Sequence, residues 1–248
     1  MDAWFEDESF WSELYLFMFP EERFRLADEQ IEKVLALAGY KEGTVLDLCC
    51  GPGRHSLALA KRGIQVTAVD RSEFLLRKAK EEAAKSNLQI EFVSDDMRRF
   101  VRDNSFSLIL NMFTSFGYFD DQEDDLKVLR NAYRSLKPEG AIVIDLLGKE
   151  PLARRYQATG STELIDGSLL IERHEIREDW TRCQNEWILV KDGTAKSFNF
   201  QTRLYSGQEM KDILRRAGFE EVKVFGDLDG NEYGIDAARL IAVGRKIF

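Results

Sequence analysis

The chain has 248 residues, enough for one large α/β domain with insertions and short for two full domains. Its formal net charge of -9 argues against a sequence-independent grip on phosphate backbones, which needs Lys and Arg to displace counterions, so no nucleic-acid partner is expected. Three cysteines in no disulfide or zinc spacing (Cys49, Cys50, Cys183), an acidic aromatic start and no apolar run near the ~20 residues of a membrane helix lead us to expect a cytoplasmic protein without a membrane partner.

The first nineteen residues hold seven aromatics (Trp4, Phe5, Phe10, Trp11, Tyr15, Phe17, Phe19), a density that must pack on something. After Pro20, residues 21–38 read as one amphipathic helix with Phe24, Ala27, Ile31, Val34, Leu35 and Ala38 on one side, ended by Gly39. Residues 1–39 are therefore expected to form a helical cap, closing a cleft or making a homodimer contact.

From 44 to 148 strands and helices alternate. Strands are expected over 44–50, 65–70, 90–95 and 106–112, and over the AIVIDLL run that follows the turn Lys137-Pro138-Glu139-Gly140. Helices fill the intervals: about 54–62 up to Gly63, a Ser72-capped helix with stripe Leu75, Leu76, Ala79, Ala83, and 122–136. Strands apolar on both faces and separated by helices mean a parallel sheet covered on both sides. Residues 160–205 differ: β-alternation broken at Asp166-Gly167 and Asp192-Gly193 reads as an inserted antiparallel meander. A helix over about 207–217 and an antiparallel strand pair, 219–225 and 238–244, close the chain. The expected fold is a doubly wound Rossmann-like α/β sheet, parallel except for an antiparallel last strand, with an antiparallel β-meander inserted after strand five. Residues 40–159 and 206–248 would form its core and 160–205 a lid.

The densest chemical signal is VLDLCCGPGRHSLALA, residues 45–60: a strand, a glycine turn and a helix start, which lets backbone N–H groups approach a ligand. Gly51 and Gly53 remove the Cβ that would block that approach. Asp70, seventeen residues after Gly53, ends the neighbouring strand, where a carboxylate can accept from a ribose diol. The dinucleotide fingerprint wants a third glycine where this chain has Ser56, and Asp47 inside the first strand suits a cationic ligand better than a diphosphate. S-adenosylmethionine carries an ammonium and a sulfonium, and both features favour it over a nicotinamide dinucleotide.

With those residues in view, residues 45–60, Asp70, the SDDMR run at 94–98 and the LKPEG turn and strand at 136–146 resemble the ordered motifs of class I S-adenosylmethionine-dependent methyltransferases. More narrowly the chain resembles bacterial small-molecule methyltransferases of the methyltransferase-25 type, which carry an aromatic N-terminal helix and a β-insertion after strand five. The resemblance implies S-adenosylmethionine as cofactor. It would place Asp47, Cys49 (through its backbone), Gly51 and Gly53 around the methionine part, Asp70 on the ribose, and Arg71 beside the adenine. Asp96 and Met97 would contact the adenine ring, and Asn111 would lie under the methionine moiety. Family members often have Gly or Ala where this chain has Cys49 and Cys50.

For the acceptor, the segment after Asn111 lacks the Pro-Pro-aromatic run of enzymes that methylate nucleobase amines, so a small-molecule amine or hydroxyl is expected. Phe113, Phe116 and Tyr118 are candidates to line its pocket, with a core role equally open for Phe116, and Arg203 is a candidate to pair with a substrate carboxylate, against an exposed surface arginine. His174 is expected to face solvent on an outer strand face, with a catalytic base as the alternative, and His55 to stay neutral at a helix N-terminus. Tyr15 and Arg23 would reach the cofactor carboxylate if the cap folds back. No metal is expected and no catalytic residue is assigned. The competing readings are a nicotinamide-dependent Rossmann oxidoreductase and a non-catalytic S-adenosylmethionine sensor.

Overall fold

The computed structural model describes residues 3–248. Seven strands form one sheet in the order β10-β11-β5-β4-β1-β2-β3. They are β1 (Val45–Leu48), β2 (Val66–Asp70), β3 (Glu91–Ser94), β4 (Phe106–Asn111), β5 (Leu136–Leu146), β10 (Glu220–Phe225) and β11 (Leu240–Arg245). Neighbours among β1 to β5 pair in parallel, whereas β11 runs antiparallel to both β5 and β10. The chain order reverses between β1 and β4, and at such a switch the loops leaving the carboxyl ends of adjacent strands diverge and open a crevice. The doubly wound fold expected from the alternation is the one observed.

Helices cover both faces because the apolar stripes demand it. On α6 (Glu73–Lys85), Leu75, Leu76, Ala79 and Ala83 are buried, and the Ser72 side chain accepts the Leu75 N–H at its start. α5 (Arg54–Lys61) and α7 (Gln122–Ser135) bury Leu57, Ala58 and Leu59, and Leu126, Val128 and Leu129. α9 (Gly207–Arg216) opens with a complete capping box between Ser206 and Glu209. The helix expected over 21–38 breaks at Leu26 into α3 (Glu21–Arg25), which buries nothing, and α4 (Ala27–Ala38), which buries Ala27, Ile31, Val34 and Ala38. Phe24 therefore does not share the stripe, and α4 packs with the sheet-flanking helices as part of the core rather than of the cap.

Three local expectations change. β1 stops at Leu48, so Cys49 and Cys50 lie in the turn, and Cys49 adopts φ 64. That left-handed conformation costs a cysteine about 1–2 kcal/mol that a glycine would not incur. The Lys137–Gly140 turn is absorbed into β5 as a register irregularity, with Glu139 at φ 67 donating its N–H to the Lys246 carbonyl at 2.7 Å. Between β5 and the insertion lies α8 (Lys149–Arg155), too short to leave a periodic signature.

The insertion is a four-stranded antiparallel sheet in sequential order: β6 (Thr159–Glu163), β7 (Leu169–Arg177), β8 (Arg182–Lys191) and β9 (Thr194–Arg203). Its register aligns Glu172 with Trp187 and Phe198, and His174 with Asn185 and Phe200, all on one face. The N-terminal segment, with α1 (Glu8–Glu13) and α2 (Tyr15–Met18), packs into that face. Trp4 lies 4.9 Å from Phe200 and 4.6 Å from Tyr118, and Phe10 stacks on Trp187 at 6.1 Å between ring centroids. Trp4, Phe10 and Phe17 thus pack on the inserted sheet, while Phe5, Tyr15 and Phe19 pack on the core at Phe119, Phe74 and Gly51. Among the described residues no helix is long and apolar enough to cross a membrane.

Candidate active site

The crevice at the switch point opens into a cavity of about 860 Å³ lined by Leu48, Cys49, Gly51, Asp70, Arg71, Asp96, Met97, Arg54 and the cap residues Phe5, Trp11, Met18 and Phe19. Gly51 has φ 56, and a Cβ built there would point at the Phe19 ring 3.5 Å away, across the space a ligand needs. Gly53 serves differently: its Cβ would strike Ala79 at 2.9 Å, so this glycine lets α6 approach the turn and does not line the cavity.

Asp70 is held from below. One carboxylate oxygen accepts the Gly51 N–H at 2.8 Å and the other the Ser72 N–H at 2.9 Å. Burial pushes its carboxyl up while those N–H groups hold it down, and each oxygen keeps a further lone pair for a donor in the cavity. Ser72 does cap α6, and it shares that helix N-terminus with Glu8 of the cap. The Glu8 carboxylate accepts from the Ser72 hydroxyl at 2.9 Å and from the Glu73 and Phe74 N–H groups at 3.1 Å each. Glu6 pairs with Arg71 beside it. The cap is thus latched over the Asp70 end of the cavity by two carboxylates.

Asp96 and Met97 border the same end. Arg98 grips the Asp96 carboxylate through Nη2 at 2.6 Å and Nε at 3.1 Å, and this pair outweighs burial to hold the carboxyl below its usual range. Asp95 accepts the Asp96 N–H at 2.7 Å, but the residue that caps the following turn is Asp96, whose Oδ1 accepts the Arg98 N–H at 2.8 Å.

Several sequence-predicted residues stand behind the cavity wall. Asp47 is 1 % exposed and accepts the Ser56 hydroxyl at 2.6 Å; burial pushes its carboxyl up to about 6. Ser56, in place of a third glycine, is therefore the partner that a buried strand carboxylate requires. Asn111 donates to the Leu48 carbonyl at 3.1 Å, and its buried Oδ1 has no partner. Asp47, Gly53 and Asn111 thus shape the turn and do not line the cavity. The Cys49 thiol does line it; burial, with Asp70 and Asp47 nearby, pushes it well above its usual range, so it stays protonated and unreactive.

Arg54 was not singled out in the sequence, although a cation in the first turn of a helix, where the dipole disfavours it, is a signal. It is 6 % exposed, lines the cavity, and donates to Gln30 at 2.6 Å; burial lowers it to about 10, so it remains charged. His55 beside it also meets Gln30, at 3.1 Å, and is kept neutral by burial and the neighbouring Arg54 more than by the helix dipole. Tyr15 packs on Phe19 and Phe74, and Arg23 donates to the Met18 carbonyl, so neither lines the cavity.

A second, larger cavity of about 1510 Å³ lies between the core and the inserted sheet. Met18, Phe113 and Tyr118 line both spaces, which makes them the partition. Phe113 (φ 63) and Thr114 (φ 59) are consecutive left-handed residues, a strained corner that needs external support. Asp145 supplies it, accepting the Phe113 N–H at 3.1 Å and the Arg239 Nε at 2.6 Å, while Arg239 also donates to the Thr114 hydroxyl at 2.8 Å. The Phe113 ring then lies under three guanidinium groups, Arg23 at 4.3 Å, Arg54 at 5.1 Å and Arg239 at 5.9 Å. Asp145, a lone carboxylate inside an apolar strand, was legible in the sequence as a residue needing a reason.

The expectations for the meander need two corrections. Arg203 borders the second cavity, but its guanidinium donates to the Asp120 carbonyl at 2.8 Å and faces Asp125 at 3.4 Å, while Tyr205 donates to Asp125 at 2.7 Å. Committed to a buried carboxylate, it is not free for a substrate's. His174 does not face solvent: it lines the cavity with Glu172, because the face carrying Phe198 and Phe200 is the one turned inward.

A family model described as a methyltransferase domain, of the methyltransferase-25 type, matches residues 45–140. The cypemycin N-terminal methyltransferase of a Streptomyces species is 29% identical over 205 residues, covering 81% of this chain and 82% of that protein. The CcbJ methyltransferase from Streptomyces caelestis superposes with TM-score 0.77 at 24% identity, covering 89% of this chain and 95% of that one. An S-adenosylmethionine-dependent methyltransferase from Clostridium acetobutylicum superposes with TM-score 0.76 at 16% identity, covering 90% and 91%. The residues fit the cofactor these matches imply, since Gly51, the half-satisfied Asp70 carboxylate and the buried Arg54 cation line one cavity. The family match over residues 45–140, the relative and the fold together support a class I S-adenosylmethionine-dependent methyltransferase.

Proposed function

We propose that the protein methylates an amine or hydroxyl of a small-molecule acceptor seated in the second cavity. The observation that carries this reading is the shared partition of Met18, Phe113 and Tyr118, which sets an acceptor space directly against the cofactor space. Bound S-adenosylmethionine supplies a methyl carbon on a sulfonium, whose departure leaves a neutral thioether. The protein's task is alignment, and positioning of this kind contributes ~7–11 kcal/mol in well-arranged systems.

In this reading Asp70 accepts from the ribose hydroxyls, and the Gly51 backbone passes close beneath the sugar and methionine chain. Arg71, Asp96 and Met97 bound the adenine, with Arg98 fixing the Asp96 carboxylate. Cys49 contributes backbone and a small side chain. Asp47, Gly53 and Asn111 hold the turn from behind, and Arg54 faces the cofactor carboxylate. Tyr118 keeps its proton because burial raises the phenol, so it can donate to the acceptor or the cofactor from the partition. The cap over residues 3–19 lines both spaces and the sheet over 159–203 walls the second.

The name of the Streptomyces relative specifies an N-terminal amine, which supports nitrogen among the acceptor atoms of this chain. The reading is tested by thermal shift with S-adenosylhomocysteine and with NAD, followed by S-adenosylhomocysteine release with a panel of small amines and alcohols. Stabilisation by NAD alone would return the oxidoreductase. Tight binding with no turnover across the panel would favour a sensor.

A further inference from the structure

His174 projects from the second strand of the insertion into the acceptor cavity. Its Nδ1 lies 2.8 Å from the Asn185 Oδ1, its direct cross-strand partner. The identity of that oxygen follows from the rest of the amide. Asn185 Nδ2 sits 3.1 Å from the Cys183 carbonyl, which can only accept, so Nδ2 donates there and the other amide atom is the oxygen. An oxygen facing Nδ1 requires Nδ1 to carry the hydrogen. Neutral His174 is therefore the Nδ1–H tautomer, and its Nε2 carries a free lone pair with no protein partner among the described residues.

The surroundings hold this arrangement rigidly. Asn185 is 6 % exposed and has no other place to turn. The His174 backbone is pinned on both sides, its N–H donating to the Ala158 carbonyl at 2.8 Å and its carbonyl accepting the Tyr156 hydroxyl at 2.7 Å. The ionisable groups that line the cavity with the imidazole are Glu172 on its own strand, Cys183 on β8, Tyr156 and Arg155 at the end of α8, and Tyr118, Arg203 and Arg239. Arg155 donates to the Pro151 and Ala238 carbonyls, and Arg203 and Arg239 face Asp125 and Asp145, which leaves Glu172 as the one carboxylate of the cavity among the described residues. Burial pushes Glu172 up, opposed by His174.

We infer that His174 is the catalytic base of this protein, held in its Nδ1–H tautomer by Asn185, and that the acceptor is a primary or secondary amine entering as an ammonium beside Glu172. This rests on the methyltransferase reading above and names the acceptor class for the same site. In the step, the acceptor's N–H bond breaks and its proton bonds to Nε2. The freed nitrogen pair bonds the methyl carbon as the carbon–sulfur bond breaks, with that pair leaving on sulfur. A neutral imidazole is a sufficient base for an ammonium and a poor one for an aliphatic alcohol, whose proton is far less acidic. Asn185 is a positioning residue.

The test uses matched acceptors: 2-aminoethanol, glycine and glucosamine against ethylene glycol, glycolate and glucose, read by S-adenosylhomocysteine release. The amines are expected to react and their oxygen counterparts not; reaction of the alcohols alone overturns the acceptor class. His174→Gln is expected to lower kcat about 100-fold at pH 7 with KM within twofold. The deficit should shrink as pH rises toward 9.5, where free amine needs no base. Unchanged kcat across that range overturns the base. Asn185→Ala should lower kcat about tenfold, and Asn185→Asp should restore it with the acid limb of the pH profile moved upward. Independently of any acceptor, diethyl pyrocarbonate should ethoxycarbonylate His174 and spare His55, whose Nε2 is engaged by Gln30. A His174 that resists the reagent overturns the free Nε2 even if no acceptor reacts. Loss of S-adenosylhomocysteine binding by the wild-type protein would instead break the underlying reading.

Discussion

The cofactor space and the acceptor space share three side chains but are built in different ways. The first is assembled mostly by adjacent strand ends of one sheet, within a stretch running from Leu48 to Phe119, and roofed by the N-terminal segment. The second draws walls from residues as far apart as Trp4 and Arg239, and no single element would form it alone. Backbone geometry dominates the first, through left-handed positions at Cys49, Gly51 and Gly53 and N–H groups aimed at Asp70. Side chains dominate the second, and its two buried indole N–H groups, on Trp4 and Trp187, lack partners in the protein. A cleft made by backbone keeps one ligand while sequences drift; a cavity made by side chains from remote segments is where acceptor choice can change. This is why kinship identifies the donor and leaves the acceptor to be read from His174 and its neighbours.

If that contrast is right, the largest effect should come from filling the backbone cleft. Gly51→Val places a branched side chain toward Phe19 at a left-handed position, and calorimetric titration should find no S-adenosylhomocysteine binding. Retained affinity would mean that the ligand does not pass over this turn. Asp70→Asn keeps the shape and removes charge from the ribose acceptor; at about 1.5–3 kcal/mol for hydrogen bonds to a charged group, affinity should fall roughly 10- to 150-fold. A small fall in thermal midpoint should accompany it, since Gly51 and Ser72 lose a charged partner.

The junction between the two regions gives a smaller effect. Glu8→Ala unlatches the cap from the start of α6, and with ~1 kcal/mol for a carboxylate at a helix N-terminus, release of S-adenosylhomocysteine should quicken about fivefold by stopped flow. An unchanged off-rate would mean that the cap moves without breaking this contact. The smallest effect concerns pH. Asp47 has a folded pKa of about 6 against ~3.9 unfolded, so its favourable contribution is complete below ~3.9 and lost as pH rises through about 6. Asp47→Asn should therefore match the wild type near pH 4 and exceed it by ~3 kcal/mol at pH 7 in urea melts, if Asn retains the Ser56 contact. Asp125, also raised to about 6 by burial, is present in both proteins and cancels in the difference. A difference independent of pH would show that Asp47 is not held near that value.

Much of the first region was written in local sequence. The strand–turn–helix over residues 45–60, Asp70 at the next strand end and the stripe of α6 depend on neighbours a few positions away, and all fell where periodicity put them. What local pattern did not reveal is which face of an element looks where. Asp47 and Asn111 sit at strand ends beside the cleft yet point behind it, because the pleat sends alternate side chains to opposite faces. Gly53 faces α6 for the same kind of reason.

The meander makes the point most sharply. Alternation correctly separated Phe198, Phe200 and Thr202 from Asn199, Gln201 and Arg203, and cross-strand pairing ties His174 to the first set. Nothing along the chain said that this set, rather than the other, would meet the cap. By itself the sequence determined the order of elements, the cofactor turn and the aromatic segment that had to be buried, since these follow from propensity, spacing and the cost of leaving apolar rings in water. Only the tertiary structure decided that the rings would be buried against the inner face of the inserted sheet. By that docking it turned His174 inward and left Arg203 to Asp125, because packing between segments nearly two hundred residues apart has no local signature.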